Sequence, residues 1–548
     1  MQTHKRFGTY TLSIAAAGCF LWLGAATPTL AQQVVTLDVP SPLIEIRLMV
    51  KTGSAFDPAG KEGLAAVTAE ALLEGGYGDP AQPVTKDELA RITRPWGSRA
   101  RPNVWVEKEA TTFGLVVPRD VLDDYIARVL RPLFTQPLFM QEELDRLINE
   151  GVTQLSGSLR YENIEMLGLE AVDNYMFEET PHGHAVTGSV RGLASITRDD
   201  VRSFFATYYR PDRMILGIST TDPTVVAAVK RALQGTGQLK GQVTKLKEVK
   251  PQLPQAVRGR ELTIVAMPDA GATAIHAAFP IDIARTDADF WPLYIANVYF
   301  GTHRDSHSHL YKQIRQQRGY NYGDYSYIEH FAYRPRFLFP PFNTPRTHQY
   351  FLIWIRPVGT EYAHHILKAA TWELEYLLRN GVSEEDVELS KNKAKVLYLN
   401  LAENSSRLLA AAVDDAYYGM KPGYLEGYLK RIDTVTADQV NAAVRRYLQS
   451  DNLKFLIVTE ADKAEALAGD IRAGRNAKGK TPADYRIDMV EEAGMSFLKV
   501  PTDKLDILML DAVWEAHSLG LDPIRIRVIP VESLFETGAF ITEPAATN

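Results

Sequence analysis

The sequence predicts an α+β fold that contains two homologous domains in tandem. Two observations predict it: a sequence repeat with constant spacing, and helix-then-strand units accompanied by long helices, expected at 362–380 and 384–401. The composition agrees with this class. A chain of 548 residues suggests two to four domains, and 45% apolar with 23% charged residues is typical of a globular protein.

The repeat is carried by four pairs of residues that lie 239 positions apart (440 − 201 for the valines). The pairs are Thr197 with Thr436, Val201 with Val440, Tyr208 with Tyr447, and Asp212 with Asp451. In each copy the Thr is predicted to cap a helix whose first turn carries Asp, which suits the positive end of the helix dipole. An apolar strand follows, at 214–219 in the first copy. One constant offset over four positions implies two homologous domains.

The domain boundaries follow from a stretch with the composition of a linker, 235–255, which contains Gly235, Gly237, Gly241, Pro251 and Pro254. We assign a signal peptide to 1–31, an N-terminal domain to 32–240, the linker to 241–256, a C-terminal domain to 257–475 and an extension to 476–548. The extension is too short for a third copy of the repeat. It has one predicted strand, at 524–529, and its sequence indicates no function.

The N-terminus resembles a secretory signal. His4, Lys5 and Arg6 precede an apolar run at 12–26, which is too short for a membrane span, and we expect cleavage after Ala31. The mature protein is therefore expected to be exported, either to a periplasm or out of the cell. Two alternatives are an uncleaved membrane anchor and a lipoprotein modified at Cys19, although the apolar run continues past Cys19 and argues against the lipoprotein.

Charge and cysteine content exclude several classes of function. The net charge of −7 and pI near 6.0 imply no basic face, so nucleic acid is not an expected partner. Cys19 is the only cysteine, so a chain cleaved after Ala31 has no thiol for catalysis or metal binding. No further apolar stretch is long enough to cross a bilayer, so no membrane contact is expected after cleavage.

Several ordered motifs resemble the insulinase-type (inverzincin) zinc metallopeptidase family. They are the GSAFDPAGKEGLAAVTAEALLEGG stretch at 53–76, the PHGHAVTG loop at 181–188, YYRPDR at 208–213, HLYKQIRQQRGYNY at 309–322, and GVSEEDV at 381–387. The resemblance covers roughly residues 35–470. It implies two α/β sandwich domains, each a mixed sheet with helices, that together form a clamshell.

The zinc motif of that family is degenerate in this chain. Family enzymes carry H-x-x-E-H, in which two His on one helix face bind Zn²⁺ and the Glu deprotonates the metal-bound water. Here Ala66 stands at the first His, Ala69 at the base and Glu70 at the second His. The distal ligand is expected at Gln154, with Glu150 as the alternative. The resemblance therefore implies that this chain holds no metal and is inactive alone.

A second part of the family's active-site pattern is retained. The family has an Arg and, seven residues later, a Tyr that reach across to the zinc site, and Arg315 and Tyr322 match it with Gly319 between them. The resemblance implies that Tyr322 donates to the oxyanion and that Arg315 holds either the substrate backbone carbonyl or Tyr322 itself. Gly319 is predicted to end a helix at 308–318, and 320–327 to be extended. The alternative is structural: Arg315 caps the helix and Tyr322 packs at an interface.

Other histidines have a spacing that suits metal ligands. His303, His307 and His309 form an H-x3-H-x-H cluster, and His182 and His184 form a short pair, but no carboxylate base is placed beside them. We interpret both groups as structural. His364 and His365 are interpreted as a solvated helix position.

Three hypotheses about function follow. In the first, the chain is the non-metal subunit of a heterodimeric zinc metalloprotease that degrades peptides, with Zn²⁺ bound by a homologous zinc-motif subunit and Arg315 and Tyr322 acting in trans. In the second, it is a catalytically inert peptide-binding or scaffold protein of the same fold. In the third, it is an independent enzyme with a metal site at His303, His307 and His309.

Overall fold

The structure is a computed structural model, and it describes residues 32–241, 243–250, 252, 254, 256–329, 342–421, 423, 427–474 and 502–542. The predicted signal peptide and much of the start of the predicted extension lie outside these residues. The strands are β1 (Gln33–Thr36), β2 (Leu43–Val50), β3 (Tyr77–Asp79), β4 (Gln82–Val84), β5 (Asn103–Val106), β6 (Thr111–Pro118), β7 (Met214–Ile218), β8 (Glu261–Met267), β9 (Thr273–Ile281), β10 (Asp324–Tyr327), β11 (Gln349–Val358), β12 (Lys454–Glu460) and β13 (Ile526–Pro530).

The helices lie between these strands. They are α1 (Leu64–Glu74), α2 (Lys86–Thr93), α3 (Leu122–Tyr125), α4 (Arg131–Thr135), α5 (Gln141–Thr153), α6 (Ile164–Met176), α7 (Val190–Ala194), α8 (Arg198–Tyr208), α9 (Pro223–Ala232), α10 (Phe290–Gly301), α11 (Ala363–Asn380), α12 (Glu384–Ala402), α13 (Ser405–Tyr417), α14 (Tyr428–Thr434), α15 (Ala437–Tyr447), α16 (Ala464–Ala473) and α17 (Thr502–Ala516). The two long helices predicted from the sequence are α11 and α12. The mixture of helices and mixed sheets confirms the predicted α+β class.

Two sheets with the same internal order form the centre of the fold. The first has the order β1-β7-β2-β6-β5, and the second has the order β10-β11-β9-β12-β8-β13. Read from β8, the second sheet repeats the first, because β8 and β12 are parallel like β1 and β7, and every later neighbour is antiparallel in both. The fold is therefore two tandem copies of one α/β sandwich unit, with β13 added at the edge of the second sheet.

The repeated residues occupy equivalent places in these two units. Helices α8 and α15 both begin with a capping box. The side chain of Thr197 or Thr436 accepts from the backbone amide of the third helical residue, and the side chain of that third residue accepts from the backbone amide of the threonine. This reciprocal bonding satisfies amides that a helix N-terminus otherwise leaves unpaired. The constant offset in the sequence therefore corresponds to the same helix start in both units.

Each unit places one helix on the sheet of the other unit. Helix α6 packs on β9, β11 and β12 of the second sheet, and α13 packs on β1, β2 and β7 of the first. Both contacts are close. A Cβ on Gly168 of α6 would lie 2.2 Å from Cε1 of His276, and a Cβ on Gly217 of β7 would lie 2.6 Å from Cγ2 of Val413. The exchange of helices holds the two halves of the clamshell together.

Buried ion pairs add to this contact between the units. Arg346, which precedes β11, donates to both carboxylate oxygens of Asp173 on α6, at 2.6 and 3.2 Å. Lys108 of the first unit lies 3.2 Å from the same carboxylate. All three side chains are buried, and removing one member would leave an uncompensated charge inside the protein. These pairs therefore fix the orientation of one unit relative to the other.

The end of the chain returns to the first unit. After β13, the carbonyls of Phe535 and Glu536 accept hydrogen bonds from the amides of Val190 and Arg191 on α7, at 2.9 and 3.0 Å. Leu534, Phe535 and Phe540 join the main apolar core, and the ring of Phe540 stacks on Tyr175 of α6 with centroids 4.5 Å apart. We call residues 531–542 the C-terminal strap. It connects the second sheet to the core of the first unit.

One interpretation of the sequence is wrong. His364 and His365 are not solvated, because their relative exposures are 7% and 2%. They lie on α11 beneath α17, which the sequence did not identify as a helix. None of the helices in the described ranges is long and apolar enough to cross a membrane.

Candidate functional site

Helix α1 carries the degenerate zinc motif. It begins after Gly63, whose φ of 105° is left-handed, and the buried carboxylate of Asp57 accepts from the amides of Gly63 and Ala65, both at 2.7 Å. This carboxylate takes the place of a side-chain cap and satisfies two amides at the helix start. Ala66 and Glu70 are partly exposed on one face, one turn apart, and Ala69 is buried. The helix is formed as predicted, but its metal-facing positions hold only one carboxylate.

An arginine connects α1 to the helix that should supply the distal ligand. Arg146 on α5 forms ion pairs with Glu74 of α1, with Glu143 at 2.8 Å and with Glu150 at 2.6 Å. Gln154, the predicted distal position, is exposed at the start of a π-helical turn. Glu150, the alternative, already pairs with Arg146. Among the described residues, no group of three or more His, Cys, Asp or Glu side chains could hold a metal ion. The residues at this place do not fit a zinc ion.

Glu70 remains the unusual group at this place. Partial burial, together with the nearby charges of Glu74 and Glu150, raises the pKa of Glu70 to about 7, against an opposing effect of Arg146. A carboxyl with this pKa is about half protonated at neutral pH. The site therefore carries a carboxylic acid of variable charge where the family has a metal ligand.

The raised pKa of Glu70 predicts a dependence of stability on pH. Between the ordinary pKa near 4.5 and about 7, the unfolded chain releases this proton before the folded protein does, so the free energy of unfolding falls as pH rises through that window. We expect Glu70→Gln to match the wild type at pH 4 and to exceed it by up to about 3 kcal/mol at pH 8, since one pKa unit is worth about 1.4 kcal/mol. Urea unfolding at both pH values measures this.

The control for that experiment is Glu142→Gln, at an exposed position on the first turn of α5. This variant should follow the wild type at both pH values, because its side chain is solvated in both states. If Glu70→Gln and the wild type lost stability equally between pH 4 and pH 8, the raised pKa of Glu70 would be refuted.

Arg315 and Tyr322 lie side by side in the second unit. Arg315 is in the last turn of a helix that continues through the π-helical segment Tyr311–Gln316, and its carbonyl accepts from the amide of Gly319 at 2.8 Å. Gly319 has a φ of 72°, which confirms it as the left-handed residue that ends the helix. The chain then turns so that the guanidinium carbon of Arg315 lies 5.8 Å from the ring centroid of Tyr322. Tyr322 is 77% exposed, so it does not pack at an interface within this chain.

The loop between them is held by a buried amide. The side chain of Asn321 donates to Asp324 at 2.7 Å and to the carbonyl of Arg356 at 3.0 Å, and its oxygen accepts from the amide of Gly323 at 3.1 Å. Burial raises the pKa of Asp324, whereas its bond to Asn321 and the charge of Arg315 lower it. These bonds fix the backbone on both sides of Tyr322. The ring is therefore presented to solvent from a rigid turn.

A second cation completes the surroundings of Tyr322. The guanidinium carbon of Arg356, on β11, lies 5.9 Å from the ring centroid of Tyr322. Two hydrogen bonds to Glu165 of α6, at 2.7 and 3.2 Å, hold Arg356 in place. Tyr322 thus lies between two guanidinium groups, one of which is anchored by the other unit. The role of Arg356 and Glu165 could not be predicted from the sequence, because their contact depends on the packing of α6 on the other unit's sheet.

The two parts of the predicted active site lie on different units of this chain. In the part of the chain that the structure describes, no hydrogen bond or ion pair joins Arg315 or Tyr322 to Ala66, Ala69 or Glu70. Arg315 and Tyr322 are brought together, as the motif spacing predicts. Their catalytic roles remain predictions.

The histidine cluster does not converge. His303 is buried, and its Nδ1 lies 2.7 Å from the hydroxyl of Tyr327, whereas the side chain of His307 is 72% exposed. Nε2 of His309 lies 2.5 Å from Glu373 on α11. Three histidines with three separate surroundings do not form a metal site, which argues against the hypothesis of a relocated active site.

Comparison with known proteins supports the family resemblance of the sequence motifs. Residues 195–394 match the family described as "Peptidase M16 inactive domain". This part of the chain is similar to the inactive domain of M16 peptidases. This confirms the insulinase-type family that the motifs predict, and the matched part includes Arg315 and Tyr322.

Curated relatives of this chain include proteins named as zinc proteases. An uncharacterized zinc protease of Mycobacterium tuberculosis strain H37Rv is 25% identical over 280 residues, which are 50% of this chain and 58% of that protein. The chain therefore spans little more than half the length of such relatives. Subunit 1 of the mitochondrial cytochrome b-c1 complex of Caenorhabditis elegans is 25% identical over 459 residues, 81% of this chain and 89% of that protein.

Solved structures show the same fold. The M16 inactive domain from Pseudomonas fluorescens superposes with a TM-score of 0.65 at 18% identity, covering 79% of this chain and 96% of that one. A protease from Helicobacter pylori gives a TM-score of 0.65 at 14% identity, covering 79% and 97%. About a fifth of this chain thus lies outside each match. The two-unit clamshell is therefore the fold of M16 inactive domains.

Proposed function

We propose that this chain is the non-metal-binding subunit of a heterodimeric zinc metalloprotease that degrades peptides. The partner is a homologous subunit with an intact H-x-x-E-H motif, and it holds the zinc ion. The observation that carries the proposal is Tyr322, which is 77% exposed on a rigid turn beside Arg315, although α1 offers only one carboxylate at its metal-facing positions. An exposed aromatic side chain held between two cations contributes little to folding. The exposure of the Tyr322 side chain favours a role in contacting another molecule.

The chemistry of this pair suits peptide hydrolysis. When a peptide carbonyl is attacked, negative charge develops on its oxygen, and the Tyr322 hydroxyl is a donor that can stabilise it. Arg315 offers a planar set of fixed donors that can hold a peptide carbonyl or orient the tyrosine. The zinc ion and the general base belong to the partner. In this proposal the chain contributes half of an active site and is inactive alone.

We also propose that the complex acts outside the cytoplasm. The basic start, the short apolar run and Ala31 support export, to a periplasm or out of the cell. A mature chain without cysteine is insensitive to an oxidising compartment.

The test is reconstitution with a zinc-motif homologue, chosen from an adjacent gene where one exists. We expect each chain alone to cleave unstructured peptides poorly and the complex to cleave them well. Replacing Arg315 with Ala should lower kcat/KM of the complex by at least 10-fold, because lost positioning of a reacting group costs up to about 100-fold. Peptide hydrolysis by the purified complex measures it.

The matched control is Arg379→Ala, which removes an exposed arginine that pairs with Glu375 on the same helix, α11. This variant should leave peptide hydrolysis unchanged. An Arg315→Ala complex as active as the control complex would refute the catalytic part of the proposal, and failure of the two chains to associate would refute the heterodimer.

A second function is favoured by one observation. A relative that matches 81% of this chain is named as a subunit of the mitochondrial cytochrome b-c1 complex rather than as a protease. An inert peptide-binding or scaffold protein would explain a fold kept without a metal site. It predicts that the chain binds peptides or assembles into a complex, and that zinc-dependent hydrolysis never accompanies it.

A further inference from the structure

Helix α17, which lies in the predicted extension, packs against the segment that carries Arg315. It contacts α11, and it also reaches Arg318, which lies three residues after Arg315 in the turn that ends the same helix. The side chains of Arg318 and Asp511 are both fully buried and form an ion pair of 2.5 Å. The guanidinium of Arg318 also lies 4.0 Å over the ring of Trp514 and donates to the carbonyl of Ile507 at 3.2 Å. The C-terminal end of the Arg315 helix is therefore enclosed by α17.

The other end of the same helix is tied to α17 through a relay. Nε1 of Trp514 donates to one carboxylate oxygen of Glu373 at 3.0 Å, and the other oxygen lies 2.5 Å from Nε2 of His309, the first residue of the helix. Glu373 is itself buried on α11. One helix of the extension thus fixes both ends of the short helix at 309–316.

A third group of contacts fixes α17 itself. The carboxylate of Glu515 lies 2.9 Å from Nδ1 of His365, and the ammonium of Lys368 donates to the carbonyl of Glu515 at 2.8 Å. His365 and Lys368 are on α11 and are buried, so these bonds are shielded from water. Helices α11 and α17 therefore form a rigid support rather than a loose contact.

We propose that Asp511 is a positioning residue for Arg315 and Tyr322, and that α17 sets the direction in which the pair points. The link is short. The helix held by Arg318 ends at Gly319, whose amide bonds to the carbonyl of Arg315, and Tyr322 follows within the same turn. A rotation of this helix moves both side chains together. Its catalytic meaning rests on the proposed function, but the positioning itself is a property of this chain.

The test uses a nitroxide spin label, because the only cysteine of the sequence is Cys19. Tyr322→Cys in a Cys19→Ser background carries the label, and Asn149→Cys, exposed on α5, carries a reference label in the first unit. We expect Asp511→Asn to shorten the rotational correlation time of the label at position 322 at least twofold and to leave the reference label unchanged. Asp506→Asn, on the exposed side of α17, is the matched control and should change neither label.

A folded Asp511→Asn variant with an unchanged spectrum at position 322 overturns the proposal. If this variant fails to fold, Trp514→Phe replaces it, because it keeps an aromatic ring beneath Arg318 and removes the donor to Glu373 together with part of the buried indole. A more mobile label at position 322 in the Trp514→Phe variant then supports the proposal, and an unchanged spectrum overturns it.

An activity measurement separates this inference from the proposed function. In the complex with a zinc-motif homologue, Asp511→Asn should lower kcat several-fold with little change in KM, because misaligned groups bind substrate but stabilise the transition state poorly. If Arg315→Ala leaves hydrolysis unchanged while Asp511→Asn mobilises the label, the proposed function fails and the positioning stands. If Arg315→Ala abolishes hydrolysis and the label does not respond, only the positioning fails.

Discussion

Replacing Tyr322 with Phe is expected to lower kcat of the reconstituted protease about 100- to 1,000-fold, because loss of one oxyanion donor costs that much in related chemistry. KM should change little, since a donor to the developing oxyanion acts in the transition state and hardly on bound substrate. The free energy of unfolding should stay within about 0.5 kcal/mol of the wild type, as the side chain is 77% exposed and the ring is kept. Steady-state peptide hydrolysis and urea unfolding measure the two effects.

A matched control is available on the same unit. Tyr376 on α11 is also exposed and stacks on Trp372, so Tyr376→Phe removes a surface hydroxyl without touching the Arg315 loop. Its complex should hydrolyse peptides like the wild type. Equal activity of the Tyr322→Phe and Tyr376→Phe complexes would remove Tyr322 from the mechanism and favour the inert peptide-binding function.

Gly168→Ala is expected to destabilise the protein by about 2–3 kcal/mol, the cost of overpacking a well-packed core. The new Cβ would lie 2.2 Å from Cε1 of His276, which is fully buried and bonds through Nδ1 to the carbonyl of Leu456. The ring cannot move away without losing this bond. Because α6 there packs on the second sheet, the substitution strains the contact between the two units rather than one unit alone. Urea unfolding of the variant and the wild type under the same conditions measures this difference in the free energy of unfolding.

Two further variants test whether the clash with His276 causes the loss of stability. Gly469→Ala, in α16, adds a Cβ where no atom lies within 4 Å, and should stabilise by about 0.5–1 kcal/mol through helix propensity. Combining Gly168→Ala with His276→Ala should restore part of the lost stability, because the clash partner is gone. A destabilised Gly469→Ala variant, or a double variant with purely additive effects, would contradict the steric explanation.

The repeated architecture could be predicted from the sequence because its signals are local. A Thr that caps a helix, an apolar strand after it and a constant offset of 239 residues are all readable without knowing what packs against what. The same holds for Gly319, whose position between a helix and a tyrosine-rich stretch predicts the left-handed turn that the structure shows. The spacing of Arg315 and Tyr322 then follows from this turn.

The contacts between distant parts of the chain could not be predicted. The interpretation of His364 and His365 as solvated was wrong because α17, more than a hundred residues later, covers them. The anchoring of Arg356 by Glu165 depends on α6 lying on the other unit's sheet. The sequence of α5 also did not reveal that Arg146 forms an ion pair with Glu74 of α1. Each of these depends on tertiary packing, which local pattern does not encode.

The C-terminal strap has a consequence for how the protein is made. Leu534, Phe535 and Phe540 belong to the core of the unit that is synthesised first. Ribosomes release the chain from its N-terminus, so this unit must wait for nearly the whole polypeptide before its interior is filled. Until then it exposes an apolar surface, which makes the nascent chain a client for chaperones. A stop codon in place of residue 531 would leave the strands of both sheets encoded, yet the first unit unfinished.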